Sequence, residues 1–352
     1  MYLIMKAKLI RKPHLAPKII VIDGLPGCGK TMLSPILASF DRTEVMTFSY
    51  ELEFILTLAY LEKISLDAAE TMIRSITDLK IYNLMMSREV NFRPSDLSSI
   101  FKNQSSFRYI RRLFQAGDEE VPSLIEERNP ILIITTHQMT AISEPLFKSL
   151  GQRLVFIELV RHPLYMIKQH EENMKNINTQ VRDFDLQIEY ENQQIPFYAY
   201  GYEKDFIDSS PIERGILFID KFTSLAEETK IKIKNNYKSQ IITIPFEDYV
   251  LRPTGYMDII AKALDTDITK RTLREMKKQK VPRKKIADGI SLEIYKRFGW
   301  EPGKKGRSER DELNARYDYA ISKNISKKSI EKLDKISKEY EMKYLSNIDN
   351  VL

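Results

Sequence analysis

Five short runs of the chain are almost wholly apolar: Lys18 to Asp23, Val45 to Phe48, Ile131 to Thr135, Leu154 to Val160 and Ile241 to Pro245. The first, third, fourth and fifth show no in-out alternation, which predicts strands covered on both faces, as in a parallel sheet held between helical layers. Between them apolar residues recur every three to four positions. That spacing predicts helices over Met32 to Phe40, Glu51 to Glu62, Leu66 to Met86, Ile142 to Leu150, Leu164 to Met174, Ile212 to Asn235 and Tyr256 to Leu264. Strand, helical crossover, strand is the pattern of a doubly wound α/β fold: three layers around a five-stranded, mainly parallel sheet. Residues 50 to 128 form a helical insertion, whose polar and aromatic stretch from Pro94 to Arg128 suits a lid or a plain helical excursion. From about Asp267 the chain is Lys-rich and helical, with a Pro/Gly-rich break at Gly299 to Gly306. No repeat or low-complexity linker divides it, so one domain over residues 1 to 352 is expected.

Composition narrows the class. The 352 residues are 43% hydrophobic and 30% charged, enough apolar material for a large core and too much for a disordered chain. The net charge of +6 suits an anionic ligand without requiring a nucleic acid. A single cysteine, Cys28, excludes an internal disulfide and a cysteine-based zinc site. No apolar stretch approaches the ~20 residues of a membrane helix. The N-terminus lacks a signal-peptide layout, so a cytoplasmic protein without a membrane span is expected.

The sharpest motif is KIIVIDGLPGCGKTMLSPIL. Gly24, Gly29, Lys30 and Thr31 fit the spacing G-x-x-x-x-G-K-[ST], with an apolar strand before and an amphipathic helix after. Glycines let the backbone curl so that the amides of Gly27, Cys28, Gly29, Lys30 and Thr31 point at one anion, and the helix adds its positive end. Lys30 supplies a mobile charge and Thr31 a hydroxyl. Cys28 reads as a small loop filler, although a helix N-terminus would lower its pKa. This loop means phosphate, and it fits nucleotide kinases and hydrolases as well as transferases with a phosphorylated sulfate donor.

The third, fourth and fifth strands run into ITTHQM, FIELVRHPLYMI and IPFEDY. Ligands of open α/β sheets bind beyond the carboxyl ends of the strands, so His137, Arg161 and Glu247 share the rim with the phosphate loop. With these segments the chain resembles the sulfotransferase family, which uses 3'-phosphoadenosine 5'-phosphosulfate (PAPS) and releases adenosine 3',5'-bisphosphate (PAP). THQM and RLVFIELVRHPLYMI are similar to the family's Thr-His segment and to its 3'-phosphate-binding strand ending in Arg-x-Pro. IITIPFEDYVLRPTGYMDIIAKALD is similar to its Tyr-Glu-Asp-Leu segment. PGKKGRSER is similar to the Lys-Gly-Arg loop that closes over the donor in carbohydrate-type members. The likeness runs in order from Lys18 to Arg307, mixes cytosolic-type and carbohydrate-type features, and leaves the insertion unmatched. Two positions depart from it. The family's loop usually reads Pro-Lys-x-Gly-Thr-Thr, whereas Gly27 follows Pro26 here and the lysine is Lys30; Gln169 stands at or near the family's phosphate-binding serine.

The resemblance implies sulfuryl transfer to a hydroxyl or amine of a small-molecule or carbohydrate acceptor, with no metal required. Lys30 would neutralise the leaving phosphate and Arg161 would grip the 3'-phosphate, where a planar guanidinium suits a phosphate better than an ammonium. Lys305, Gly306 and Arg307 would cap the donor, or form an exposed basic loop. The acceptor's proton needs a base. His137 is one candidate, and Glu51, placed like the glutamate of carbohydrate-type members, is its rival; Glu53 could replace Glu51. His14, His162 and His170 read as structural. Residues 270 to 285 carry nine basic side chains and one acid, Glu275, a solvated helix face or an attractor of anions. Two other readings stay open. One is a Mg-ATP-dependent kinase or hydrolase, favoured by the intact GKT and by GILFID ending at Asp220, although Ile212, Ile216, Ile219 and Phe222 place Asp220 on a helix. The other is an anion-binding scaffold without activity.

Overall fold

The structure is a computed structural model and describes residues 7–12, 14–103, 105–177, 184–237, 239, 241–289 and 307–346. Its sheet has five strands, β1 (Lys18–Asp23), β2 (Thr47–Phe48), β3 (Ile131–Thr135), β4 (Leu154–Val160) and β7 (Ile242–Pro245), all parallel in the order β2-β3-β1-β4-β7. A separate antiparallel hairpin, β5 (Gln187–Tyr190) and β6 (Gln193–Pro196), falls between β4 and β7 and lies outside the sequence expectations. Its strands are short and largely polar, so no apolar run marks them.

The helices are α1 (Lys30–Leu37), α2 (Tyr50–Tyr60), α3 (Leu66–Met85), α4 (Ser106–Arg112), α5 (Val121–Arg128), α6 (Glu144–Leu150), α7 (Pro163–Lys175), α8 (Glu203–Ile207), α9 (Pro211–Tyr237), α10 (Phe246–Leu251), α11 (Thr254–Leu264), α12 (Lys270–Lys278), α13 (Glu309–Ile321) and α14 (Lys327–Tyr340), the last running into a π-helical turn, Glu341–Leu345. Alternate residues of β1 feed two cores. Ile20 and Ile22 pack with α1, α11 and the C-terminal helices, while Ile19 and Val21 pack with α2, α3, α6 and α9. This is why β1 is apolar at each position from Ile19 to Ile22: neither of its faces meets water there.

The second strand is shorter than its apolar run, and within that run Val45 gives its amide to the Tyr109 hydroxyl at 2.6 Å. No helix among the described residues is long and apolar enough to cross a membrane.

Candidate functional site

The root of the site is the end of β1. Asp23 is fully buried, and its carboxylate accepts from the Thr136 hydroxyl (2.8 Å) and from the Thr140 amide and hydroxyl (2.7 and 2.6 Å). Beyond it, Gly24, Gly27 and Gly29 have φ of +141°, +90° and +108°. A Cβ at Gly24 would lie 2.2 Å from the Leu159 carbonyl oxygen, one at Gly27 2.8 Å from Gln169 Oε1, and one at Gly29 2.5 Å from the Phe246 ring. The positive φ favours glycine at all three, and at Gly24 and Gly29 the backbone and ring in the way leave no space for a Cβ either. The loop is clamped between β4, α7 and α10, and Gln169 stands directly beside it.

Lys30 is buried and folds back over the loop, donating to the Gly24 carbonyl and to the Leu25 carbonyl at 3.2 Å. Of the amides expected to converge, that of Cys28 bonds to the Leu25 carbonyl at 3.2 Å and closes a turn. The Cys28 thiol is buried, and burial raises its pKa against the opposing pull of Lys30. It is a packing group, and the lowering expected from the helix N-terminus does not prevail. Thr31 sits in the first turn of α1, half-buried.

Arg161 reaches the loop from the end of β4. Its Nη1 donates to the Gly27 carbonyl at 2.8 Å, while its Nε is buried without a partner, 3.9 Å from Glu247 Oε1. The guanidinium stacks on Phe246 (4.3 Å to the centroid) and Tyr165 (5.1 Å); Arg316 covers Tyr165 (4.6 Å) and Arg283 covers Phe246 (5.4 Å). Burial lowers the pKa of Arg161 and the Glu247 carboxylate opposes it. Glu247 is itself held by the His162 amide and the Tyr340 hydroxyl. Three arginines thus gather beside the phosphate loop, and two of them, Arg283 and Arg316, have no sequence signal beyond membership of basic segments.

The extension of β3 completes the rim. The Thr136 amide bonds to the Ile22 carbonyl (3.0 Å) and the Gln138 amide to the Gly24 carbonyl (3.2 Å), which brings His137 to the first glycine of the loop. Glu53 Oε1 receives both the His137 amide and its Nδ1, each at 3.0 Å. A carboxylate can only accept, so the proton sits on Nδ1 and the lone pair on Nε2. The ring is stacked near Phe48 (5.9 Å, 8°) and Tyr50 (6.2 Å, 21°). Glu51 points elsewhere: its carboxylate accepts from Ser49 Oγ at 2.8 Å and pairs with Lys80 at 3.5 Å. Of the two glutamates, it is Glu53 that meets His137. The signal was present in the spacing, since Leu52, Ile55 and Leu56 define the buried face of α2 and Glu53 borders it while Glu51 lies outside.

Lys305 and Gly306 of the capping loop lie outside the described residues. Arg307 pairs with Glu312 at 3.5 Å. In the insertion Tyr109 is fully buried and donates to Glu44, and the half-buried Arg108 donates to the Thr43 carbonyl. His162 and His170 are buried and bonded. Asp220 lies inside α9 and pairs with Lys332 at 2.9 Å. No cluster of three or more His, Cys, Asp or Glu fit for a metal occurs among the described residues. A cavity of about 470 Å³ adjoins the loop at Gly24, Leu25 and Cys28 and continues past Arg161 and Met166 to Phe222.

Neither a protein-family model nor a curated protein sequence matches the chain. Several solved structures are similar to it. A sulfotransferase domain from the curacin biosynthetic pathway is 15% identical, with 78% of this chain and 83% of that one covered and a TM-score of 0.39. A sulfotransferase domain of the Synechococcus PCC 7002 olefin synthase is 13% identical, with coverage of 84% and 100% and a TM-score of 0.38. The sulfotransferase STF9 of Mycobacterium avium is 15% identical, with coverage of 89% and 77% and a TM-score of 0.35. Likeness at this level decides neither donor nor acceptor.

Proposed function

We propose that the protein is a sulfotransferase that moves a sulfuryl group from PAPS to a hydroxyl or amine acceptor. The observation that carries this reading is Arg161, a buried guanidinium bonded to the phosphate loop's own Gly27 carbonyl, with its Nε turned to the Glu247 carboxylate. It sets a second cationic site one hydrogen bond away from the first, as a donor phosphorylated at two positions requires. Gln169, beside Gly27, has an amide N–H that can serve the same phosphate. The phosphate loop and Lys30 would hold the 5' side, and Lys305, Gly306 and Arg307 would close over it. When bound, the donor supplies an activated sulfuryl group on a phosphate leaving group.

The chain's own part is electrostatic positioning and one proton transfer. Lys30 brings positive charge to the oxygen where negative charge collects. His137, with its tautomer fixed by Glu53, takes the acceptor's proton at Nε2. Glu51, turned to Lys80, has no part in that transfer.

The magnesium-dependent alternative needs a carboxylate available at the rim. Asp23 is engaged by three donors, Asp220 is on a helix with Lys332, and β3 runs into Thr136 and His137. These placements favour the metal-free reading. Thermal unfolding tests it, since a ligand present at a hundred times its dissociation constant adds about 2.7 kcal/mol. PAP should raise the transition without magnesium; a rise with Mg-ATP alone would overturn the assignment.

A further inference from the structure

The basic run at residues 270 to 285 starts on α12, away from the rim. Thr269 and Thr272 seat this helix on the end of α1 opposite the phosphate loop, donating their hydroxyls to the Ser39 carbonyl at 3.1 and 3.0 Å. Thr272, Glu275 and Met276 form its buried side. The other side presents Lys270, Leu273, Arg274 and Lys277, spaced i, i+3, i+4 and i+7 and all exposed, Leu273 at 60%. On the flanks Arg271 pairs with Asp41 at 3.8 Å and Lys278 with Glu275 at 3.3 Å; among the described residues Lys270, Arg274 and Lys277 meet no carboxylate. Three cations therefore surround one leucine in water.

The insertion continues this surface. Arg271 Nη1 donates to Ser105 Oγ at 2.7 Å and Lys278 Nζ to the Lys102 carbonyl at 3.4 Å, so both ends of α12 touch the chain around Lys102 and Ser105. Phe101 and Phe107 border these contacts and stand 49% and 74% exposed. Cations alone would make an ordinary solvated face. Cations interleaved with an exposed leucine and two exposed rings select a partner with negative charge above and hydrocarbon below, which is the layering of an anionic bilayer surface. A nucleic acid matches the charges and stacks on rings, but it has no counterpart for an aliphatic side chain set between three cations.

We propose that this face docks the protein on a membrane surface rich in anionic lipid: Lys270, Arg274 and Lys277 lie among the head groups, and Leu273, Phe101 and Phe107 enter the boundary with the acyl chains. The docking is peripheral and reversible, because it rests on charge and a few apolar side chains. It is independent of the donor reading, since α12 stands at the far end of α1.

The test is flotation of the full chain with vesicles of phosphatidylcholine alone or with about one third phosphatidylserine. The chain should float with the anionic vesicles, stay behind with the neutral ones, and be released as salt rises. Lys270→Ala and Lys277→Ala should each weaken partitioning about fivefold, and Leu273→Gln, which leaves every charge in place, about threefold or more. Because these side chains face water, the unfolding temperature and its rise with PAP should match the wild type's in all three variants. Equal flotation with both vesicle types, or none with either, would overturn the proposal. So would tighter binding to a single-stranded oligonucleotide that survives Leu273→Gln, which would mark the face as a nucleic-acid surface. Anionic-vesicle binding in a chain that PAP fails to stabilise would instead remove the donor assignment and leave the docking face standing.

Discussion

At the scale of single residues, the assignment of the base rests on which carboxylate touches which ring. A histidine whose Nδ1–H is held by a buried acid keeps Nε2 as its only basic atom, and that geometry is present in the Glu53–His137 pair. His137→Ala should therefore lower kcat at least a hundredfold while the PAP-induced rise in unfolding temperature stays unchanged. Glu53→Gln should cost less, about tenfold to a hundredfold in kcat, and change the pH profile of kcat rather than KM, because it disturbs the tautomer and leaves the ring in place. Glu51→Ala should be near neutral. Equal losses in the Glu51 and Glu53 variants would sink the distinction. Arg161 obeys a different logic. One of its N–H groups is bonded to the loop and another faces the Glu247 carboxylate at 3.9 Å, a fork that a point charge on a flexible stem cannot copy, so Arg161→Lys should fail to restore the PAP stabilisation lost in Arg161→Ala.

Among the elements, the insertion is joined to the sheet through ions rather than apolar contact alone. Glu44, in the segment leading to β2, receives Arg112 of α4 at 2.7 and 3.0 Å and the Tyr109 hydroxyl at 2.7 Å, all within the interior. Burial by itself would raise the Glu44 carboxyl; Arg108, Arg112 and Tyr109 reverse this and hold it below its ordinary value. Removing one partner strands a buried charge, so Arg112→Met should destabilise by about 3–5 kcal/mol, and adding Glu44→Gln should recover part of the loss. Chemical denaturation with each variant measures it; additive losses would show the pair to be independent. This network also marks where the sequence stops being legible. The parallel strands and their covering helices are written as local periodicity, and apart from the shortened second strand they appear where that periodicity places them. The Glu44–Arg112 pairing, the β5–β6 hairpin and the arrival of Arg316 at Tyr165 join positions separated by tens or hundreds of residues through polar side chains, which leave no period to read. Glu53 lies between these cases: its helix was expected, and its side was readable from Leu52 and Leu56, yet its partner was fixed only by folding.

For the molecule as a whole, the phosphate loop and the α7–α9 packing are tied to acid stability through His170. This histidine is 1% exposed, lies where Gly215 lets α9 approach closely, and donates Nε2–H to the Pro26 carbonyl at 2.9 Å. Burial, aided by the nearby Lys30 charge and only partly opposed by the Pro26 bond, pulls its pKa from 6.5 down to about 4. Between those values the unfolded chain binds a proton that the folded chain refuses, so stability falls as pH drops through 6.5 toward 4 and the loss then levels off. For a fully buried group the full shift is worth on the order of 3 kcal/mol. Glu213, brought down to about 2 by its bonds to Ser326 and Ser210 despite burial that would raise it, works in a lower window, its contribution disappearing as pH falls from 4.5 to 2. Buried Glu158 opposes the first of these, because burial raises its carboxyl above the ordinary value and the folded chain takes that proton first; it leaves the lower window untouched. Comparing wild type with His170→Gln isolates the first window. Gln can keep the Pro26 bond but cannot take a proton, so its denaturation free energy should change less than the wild type's between pH 6.5 and 4. Since the folded chain keeps His170 neutral over that interval, PAP affinity should be alike in the wild type and His170→Gln, and only the denaturation free energy should part them. Parallel stability curves for the two proteins would mean that His170 does not carry the acid sensitivity.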